Sequence, residues 1–433
     1  MGECFGNTVA VSQTGYTPGM TGVYFPTDGQ LSLEFCQQNN LLRLKDENGH
    51  SLPGGGYMDP DKRNVTAIKL RGEKSDGIFL PLSCLDYCYE DDASAHLKIG
   101  DTIDVVNGHD ICTKYIPRRG ANRTGKPTTG NRTRKKRVPL APLFAEHADT
   151  EQLAYNLGAF QPGDDVEITL KMHGTSQRTG YLPILSGFHR TIWDRLLRRD
   201  GTPIYSYGYV TGTRRTVLEG DDGGFYGSNE FRMPHADCFT GKLWKGETVY
   251  YEVVGFTDAK QPIMAECGNS KLNDKEFVKQ YGKTTVFSYG CDKNGVNGPQ
   301  SDFYVYRMTM TNEDGNVVEY TPDFMRYRCE QMGVKTVPVF WRGYIPYEDW
   351  LTANSWENAG EYIKARAEKW YDGPDPVGKT HVREGVVCRI VNKPKFCAYK
   401  HKNWYFKALE GIVKVEATAP DMEEAEEVKN DET

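Results

Sequence analysis

"ITLKMHGTSQRTG", residues 168–180, changes character halfway along. Up to Lys171 it alternates apolar and polar residues, as a half-buried strand does. At His173-Gly174-Thr175-Ser176 it becomes small and polar, as a turn does. A long cationic side chain thus stands at the lip of a strand, beside a glycine that lets another group come close. Two readings compete: a surface lysine ahead of an ordinary turn, or a nucleophile. A lysine must be neutral to attack. With an ordinary pKa of about 10.4 only roughly one in a few thousand is neutral at pH 7. Nearby cations or a metal would lower that pKa, so a nucleophilic Lys171 needs companions from elsewhere in the chain.

Candidate companions lie downstream. "YKHKN" places Lys400 and Lys402 on alternating positions, and Lys407 follows in "YFKALE". Glu252 in "YYEVVG" and Glu384 in "REGVVCR" are acids set among valines on strand-like runs. A carboxylate buried there is costly without a partner, for which a metal, a sugar hydroxyl or a lysine would each serve. Each residue also has a structural reading. Phe303 in "DFYVYR" fits a core of alternating aromatics, and Arg214 and Arg215 in "GTRR" fit a solvated hairpin.

The bulk properties frame these residues. The chain has 433 residues, enough for two or three domains, with 38% hydrophobic and 26% charged residues. There is no apolar run long enough to cross a membrane. "MGECFGNTVAV" lacks the basic and apolar blocks of a signal peptide, and its sixth residue is not the Ser or Thr that myristoylation favours. Eleven cysteines without a paired spacing point to reduced thiols in a cytoplasmic compartment, not to structural zinc. The sequons at Asn64, Asn122 and Asn131 then carry no meaning for glycosylation.

The net charge of −6 conceals two blocks. Residues 416–433 hold eight acids and one lysine, a net of −7 that leaves the rest of the chain at +1. Residues 117–138 hold nine bases and no acid. Solvated disorder accounts for either block, and phosphate-backbone contact is the functional reading of the basic one.

The basic block is also the best domain boundary. Residues 1–116 are mostly short β-branched runs, "NTVAVSQ", "TGVYFP", "VTAIKLRG", "DGIFLPL" and "DTIDVVNG", with one helical segment, "DGQLSLEFCQQNNLLR". An OB-like barrel, a common gripper of nucleic acid, is the first choice for this part. Residues 139–415 are mixed: strands at "DVEITLKM", "SYGYVTGTRRTVLEG", "ETVYYEVVGF" and "EGVVCRIV", a hairpin turning at Glu313-Asp314-Gly315, and helices at "HRTIWDRLLRR", "SWENAGEYIKARAEKWY" and "NWYFKALEG". The expected fold class is therefore α+β, with linker 117–138 between two domains and an acidic tail over 416–433.

The order K-x-H-G-T-S, G-T-R-R, Y-E-V-V-G, F-Y-V-Y, E-G-V-V-x-R, Y-K-H-K resembles the covalent nucleotidyltransferases, that is, ATP-dependent DNA and RNA ligases and mRNA capping enzymes. The H-G-T-S turn, "GVYFPTDGQLSLEFCQQNNL" and a barrel-like module ahead of the transferase part resemble the RNA ligase family typified by the Deinococcus enzyme. The likeness spans most of residues 8–410. It is weak over 260–300, and His173 stands where most of the superfamily has aspartate. It implies a nucleotidyltransferase (ATP-grasp-like ligase) domain of antiparallel sheets with flanking helices. It implies ATP and a divalent metal, Mg²⁺ or Mn²⁺, as cofactors, and a monomer joining 3′-hydroxyl and 5′-phosphate ends of RNA, or of RNA and DNA strands, at nicks. Lys171 would carry AMP, with His173 and Gly174 beside it. Glu252 would hold the ribose and, with Glu384, serve the metal. Phe303, or Tyr304 if the register slips by one, would stack on adenine. Arg214 or Arg215, together with Lys400 and Lys402, would neutralise phosphate. A GTP-dependent capping-type guanylyltransferase and a non-catalytic binder of nucleic-acid ends are the alternatives.

Overall fold

The computed structural model describes all residues except 5, 13, 45, 47–51, 53, 71, 116–137, 198–200, 219–229 and 417–433, and omits the side chains of 195 and 414–416. The basic block and the acidic tail therefore lie almost wholly outside the described residues.

The chain divides into two compact units. The first takes Met1–Arg119, Cys267–Thr285 and Lys402–Pro420, and the second takes Gly120–Glu266, Val286–His401 and Asp421–Thr433. The division differs from a linear split at the basic block, because two later segments join the N-terminal residues.

In the first unit the strands form antiparallel pairs. Gly22–Phe25 lies against Ile78–Pro81, Gly29–Leu31 against Cys112–Lys114, and Ile68–Leu70 against Glu73–Ser75. The helix Leu33–Gln38 starts where the Ser32 hydroxyl accepts the Phe35 N–H, and it buries Phe35 and Cys36. These two residues join Phe25, Leu31, Leu85 and Ile111 in one apolar core. The described residues of this unit contain no closed barrel, only separate two-stranded sheets. Gly, Pro and Asn punctuate each run, so the ladders stop after two to four residues.

The second unit contains β1 (Glu151–Gln152), β2 (Asp165–Lys171), β3 (Thr175–His189), β4 (Thr202–Gly212), β5 (Glu247–Gly255), β6 (Ser301–Thr311), β7 (Val317–Glu319), α1 (Pro322–Met332), β8 (Val339–Tyr344), α2 (Ala359–Glu368), β9 (Gly385–Ile390) and β10 (Cys397–Lys402). They build two five-stranded sheets, ordered β1-β10-β9-β2-β8 and β4-β3-β5-β6-β7. Only the β1–β10 pair is parallel. Val166 and Ile168 of β2 are fully buried with Val386, Cys388, Ile390 and the Ile363 and Ala367 face of α2. Each such aliphatic side chain contributes about 1.5–3 kcal/mol on leaving water. β5 departs from the one-faced pattern, since every one of its residues is buried. As the centre of its sheet it is covered on both faces. α1 has orthodox ends: Thr321 caps Phe324, Pro322 opens the helix, and Gly333 closes it at a φ of 68°.

The turn Met172-His173-Gly174 connects the two sheets. β2 ends in the first at Lys171 and β3 begins in the second at Thr175.

Candidate active site

Period-two geometry sorts β2. Glu167, Thr169 and Lys171 line one cavity, joined at the strand's end by Leu170, while Val166 and Ile168 enter the core. Val387 and Arg389 of β9 and Ala398 and Lys400 of β10 reach the same cavity. Ser176, Glu252 and Tyr306 reach it from β3, β5 and β6 of the other sheet. Arg214 and, from α1, Arg326 complete its cationic wall.

Lys171 Nζ lies 2.7 Å from Glu384 Oε1, and Glu384 is only 2% exposed. The buried acid thus has the lysine as its partner, one of the three options its setting required. His173 Nδ1 is 3.8 Å from the other Glu384 oxygen. Pairing of Lys171 with Gly385 across β2 and β9 brings the two charged groups together.

Glu252 faces Ser176 in the β3–β5 ladder. It accepts the Gly174 N–H at 3.1 Å and the Ser176 hydroxyl at 3.2 Å. Gly174 has no room for a side chain, because a Cβ there would stand 2.3 Å from the Val253 carbonyl oxygen and 2.9 Å from Glu252 Cγ. What comes close to this glycine is therefore the β5 strand. Neither His173 nor Gly174 lines the cavity.

The arginine and lysine pairs are each divided. Arg214 lines the cavity and Arg215 does not. Arg214 hydrogen-bonds Asp149 through Nε and Nη2, while Arg215 reaches the same carboxylate at 3.4 Å. Burial opposes the Asp149 charge, but these two guanidiniums hold its carboxyl below the usual range. Lys400 lines the cavity. Lys402 instead donates to both Glu410 oxygens at 3.0 Å within the first unit, and Lys407 there is paired with Asp76.

Phe303 does not reach the cavity. It pairs with Val253, on the opposite face of the sheet from Glu252, and packs against His235, Phe239 and Tyr251. The Tyr304 hydroxyl bonds Asp302, and the aromatic ring of β6 that lines the cavity is Tyr306.

The sequence reading missed Glu167, Arg326, Arg389 and Tyr306. Arg326 Nη1 donates to Glu167 Oε2 at 2.8 Å, and Arg389 Nη2 to the Tyr320 carbonyl at 2.8 Å. Burial pushes the Arg389 pKa down from its ordinary value. Glu167 and Arg389 were accessible by counting in twos from Lys171 and from Val387. Nothing in the sequence marks Arg326.

Among the described residues no group of three or more His, Cys, Asp or Glu side chains could hold a metal, and no helix is long and apolar enough to cross a membrane. No protein-family model and no curated protein matches the chain. Solved structures do. An arginine-to-alanine variant of the Naegleria gruberi RNA ligase, with ATP and Mn, is similar at a TM-score of 0.51 and 16% identity, over 94% of this chain and 93% of that chain. The Naegleria gruberi RNA ligase with PPi is similar at a TM-score of 0.50 and 15% identity, over 92% and 89%. At this identity the likeness establishes the fold, a mixed α/β arrangement of antiparallel sheets shared with an RNA ligase.

Proposed function

We propose that the protein is an ATP-dependent RNA ligase that works through a covalent lysyl-AMP. The observation that carries this reading is the placement of Lys171: paired with buried Glu384, it lines one cavity with Glu252, Arg214 and Lys400. The Lys171 amine, once deprotonated, attacks the α-phosphorus of ATP, forming the N–P bond as pyrophosphate leaves. AMP then passes to the 5′-phosphate of a strand, freeing the lysine. A 3′-hydroxyl attacks that phosphate, loses its proton and expels AMP. Phosphoryl transfer of this kind depends on positioning and charge neutralisation, which a cationic wall of Arg214, Arg326, Arg389 and Lys400 supplies.

Glu252, already oriented by Gly174 and Ser176, is suited to accept from a ribose hydroxyl. Tyr306 is the ring of β6 suited to stack on a base, in place of Phe303. Glu384, which is buried, paired with Lys171 and not itself part of the cavity lining, would offer its carboxylate to a divalent ion that takes its other ligands from water and phosphate, as Mg²⁺ and Mn²⁺ do. Bound there, the ion would neutralise charge on the phosphates. The H-G-T-S turn supports placement with the Deinococcus-type RNA ligases, and we read the first unit as the module that grips RNA.

The test is incubation with α-labelled ATP and Mg²⁺ or Mn²⁺. The expected result is an acid-resistant protein–AMP adduct, absent in Lys171→Ala, followed by sealing of a nicked duplex with an RNA 3′-hydroxyl. Labelling by GTP in place of ATP would instead identify a guanylyltransferase. Absence of any adduct would leave a binding protein.

A further inference from the structure

The stretch 286–290 belongs to the region where family resemblance is weakest, yet it holds the turn that follows Lys171. Tyr289 Oη accepts the backbone N–H of His173 at 2.6 Å. The next amide along, that of Gly174, is held by Glu252. Successive N–H groups of the turn are therefore pinned by side chains from two different segments. Phe287, two residues before Tyr289, packs edge-on against the His173 ring at 4.7 Å between centroids.

Tyr289 is held in a costly conformation. Its φ is +50°, in the left-handed region that side-chain-bearing residues rarely occupy, and its ring is buried. Its surroundings enforce this. The His381 ring stands edge-on to Tyr289 at 4.5 Å and to Phe287 at 5.1 Å. Gly378 backs the same turn so closely that a Cβ on it would lie 2.3 Å from the Gly290 nitrogen. The Gly378 amide is in turn fixed by the buried Asp375 carboxylate at 2.7 Å. His381 stands three residues before Glu384, so the rings that fix the turn also bear on the segment carrying the lysine's partner. A strained backbone kept by so many contacts is the kind of outlier from which a functional role is inferred.

We infer that Tyr289 is a positioning residue, one that sets the His173-Gly174 turn so that the Lys171 amine meets the α-phosphorus in line. The inference rests on the ligase reading. Tyr289 does not line the cavity and acts through the His173 amide. It matters for the steps in which Lys171 gains and gives up AMP, and not for the last step, in which a 3′-hydroxyl attacks an already adenylylated strand.

The experiment compares wild type with Tyr289→Phe in two assays, adduct formation from ATP and sealing of a synthetic pre-adenylylated RNA strand at a nick. Tyr289→Phe is expected to slow adduct formation at saturating ATP by about tenfold or more, the effect of leaving a buried amide unpaired. The KM for ATP and the rate of sealing the pre-adenylylated strand are expected to stay within about twofold. Equal loss in both assays assigns Tyr289 to general stability and overturns the inference, as does no loss in either. Should Tyr289→Phe fail to fold, Phe287→Leu loosens the same turn through the His173 ring and must produce the same split. If wild type forms no adduct at all, the ligase reading itself fails, a result distinct from an unchanged Tyr289→Phe.

Discussion

Lys400 and Lys402 are two residues apart on one strand, but they have different partners. Lys400 lines the cavity with Lys171, whereas Lys402 is held by Glu410 in the other unit. Lys400→Ala is expected to lower the rate of adduct formation by about 10²–10³-fold, the usual cost of removing a group that meets developing charge. Lys402→Ala is expected to leave that rate within about threefold and to lower the melting temperature instead. Rapid-quench labelling beside thermal unfolding separates the two, and equal kinetic losses would refute the assignment. The sequence could not divide this pair, because alternation puts both on one face and the tie to Glu410 depends on the following helix. It could single out Lys171, Glu252 and Glu384 as candidates, because a charge set in a strand-like apolar run demands a partner. Phe303 shows the limit of such reasoning. In "DFYVYR" aromatics fall on both faces of the strand. Only the pairing of Glu252 with Tyr304 shows which face is shared, and a bulge between Tyr250 and Tyr251 resets the register just beyond.

At the level of elements, the far side of the β5–β6 ladder holds one group through which acid lowers stability. The short helix Met233–Asp237 carries His235, whose Nε2 lies 2.9 Å from the Ser301 hydroxyl and whose ring packs on Phe303. Burial pushes its pKa down from 6.5 to about 4, so the folded protein keeps this ring neutral. Between those values the unfolded chain binds a proton that the folded chain refuses. Stability from this site is thus complete above about pH 6.5 and falls as the pH drops toward 4, by about 1.4 kcal/mol per pH unit within that window. Urea unfolding at a series of pH values checks this: His235→Asn is expected to flatten the slope between pH 6.5 and 4. An unaltered slope would exclude His235 as its source. In this unit β2, β5, β9 and α2 were legible from their runs, whereas β3, whose Thr175 and Ser176 read as a turn, and α1 and β8 were not. The two-stranded pieces of the first unit were legible as strands, but not as an assembly. The pairings of Gly22–Phe25 with Ile78–Pro81 and of Gly29–Leu31 with Cys112–Lys114 join residues far apart in sequence, and no periodicity reports them.

Across the whole molecule, charge is gathered at two places in the sequence, residues 117–138 and 416–433. If the basic block contacts phosphates, each contact releases counterions and adds to the salt dependence of RNA binding. Deleting 117–138 is expected to flatten a plot of log K against log[salt] for a nicked RNA duplex. An unchanged slope would mean that the nine bases make no phosphate contacts.

The make-up of the first unit also bears on synthesis. It draws on Met1–Arg119, Cys267–Thr285 and Lys402–Pro420, so its earliest residues leave the ribosome long before their last partners exist. Leu409, whose carbonyl accepts from the Cys267 thiol, is made after every strand of both five-stranded sheets has been translated. Translation order therefore lets the two five-stranded sheets assemble first, while Met1–Arg119 waits for the helix Trp404–Glu416.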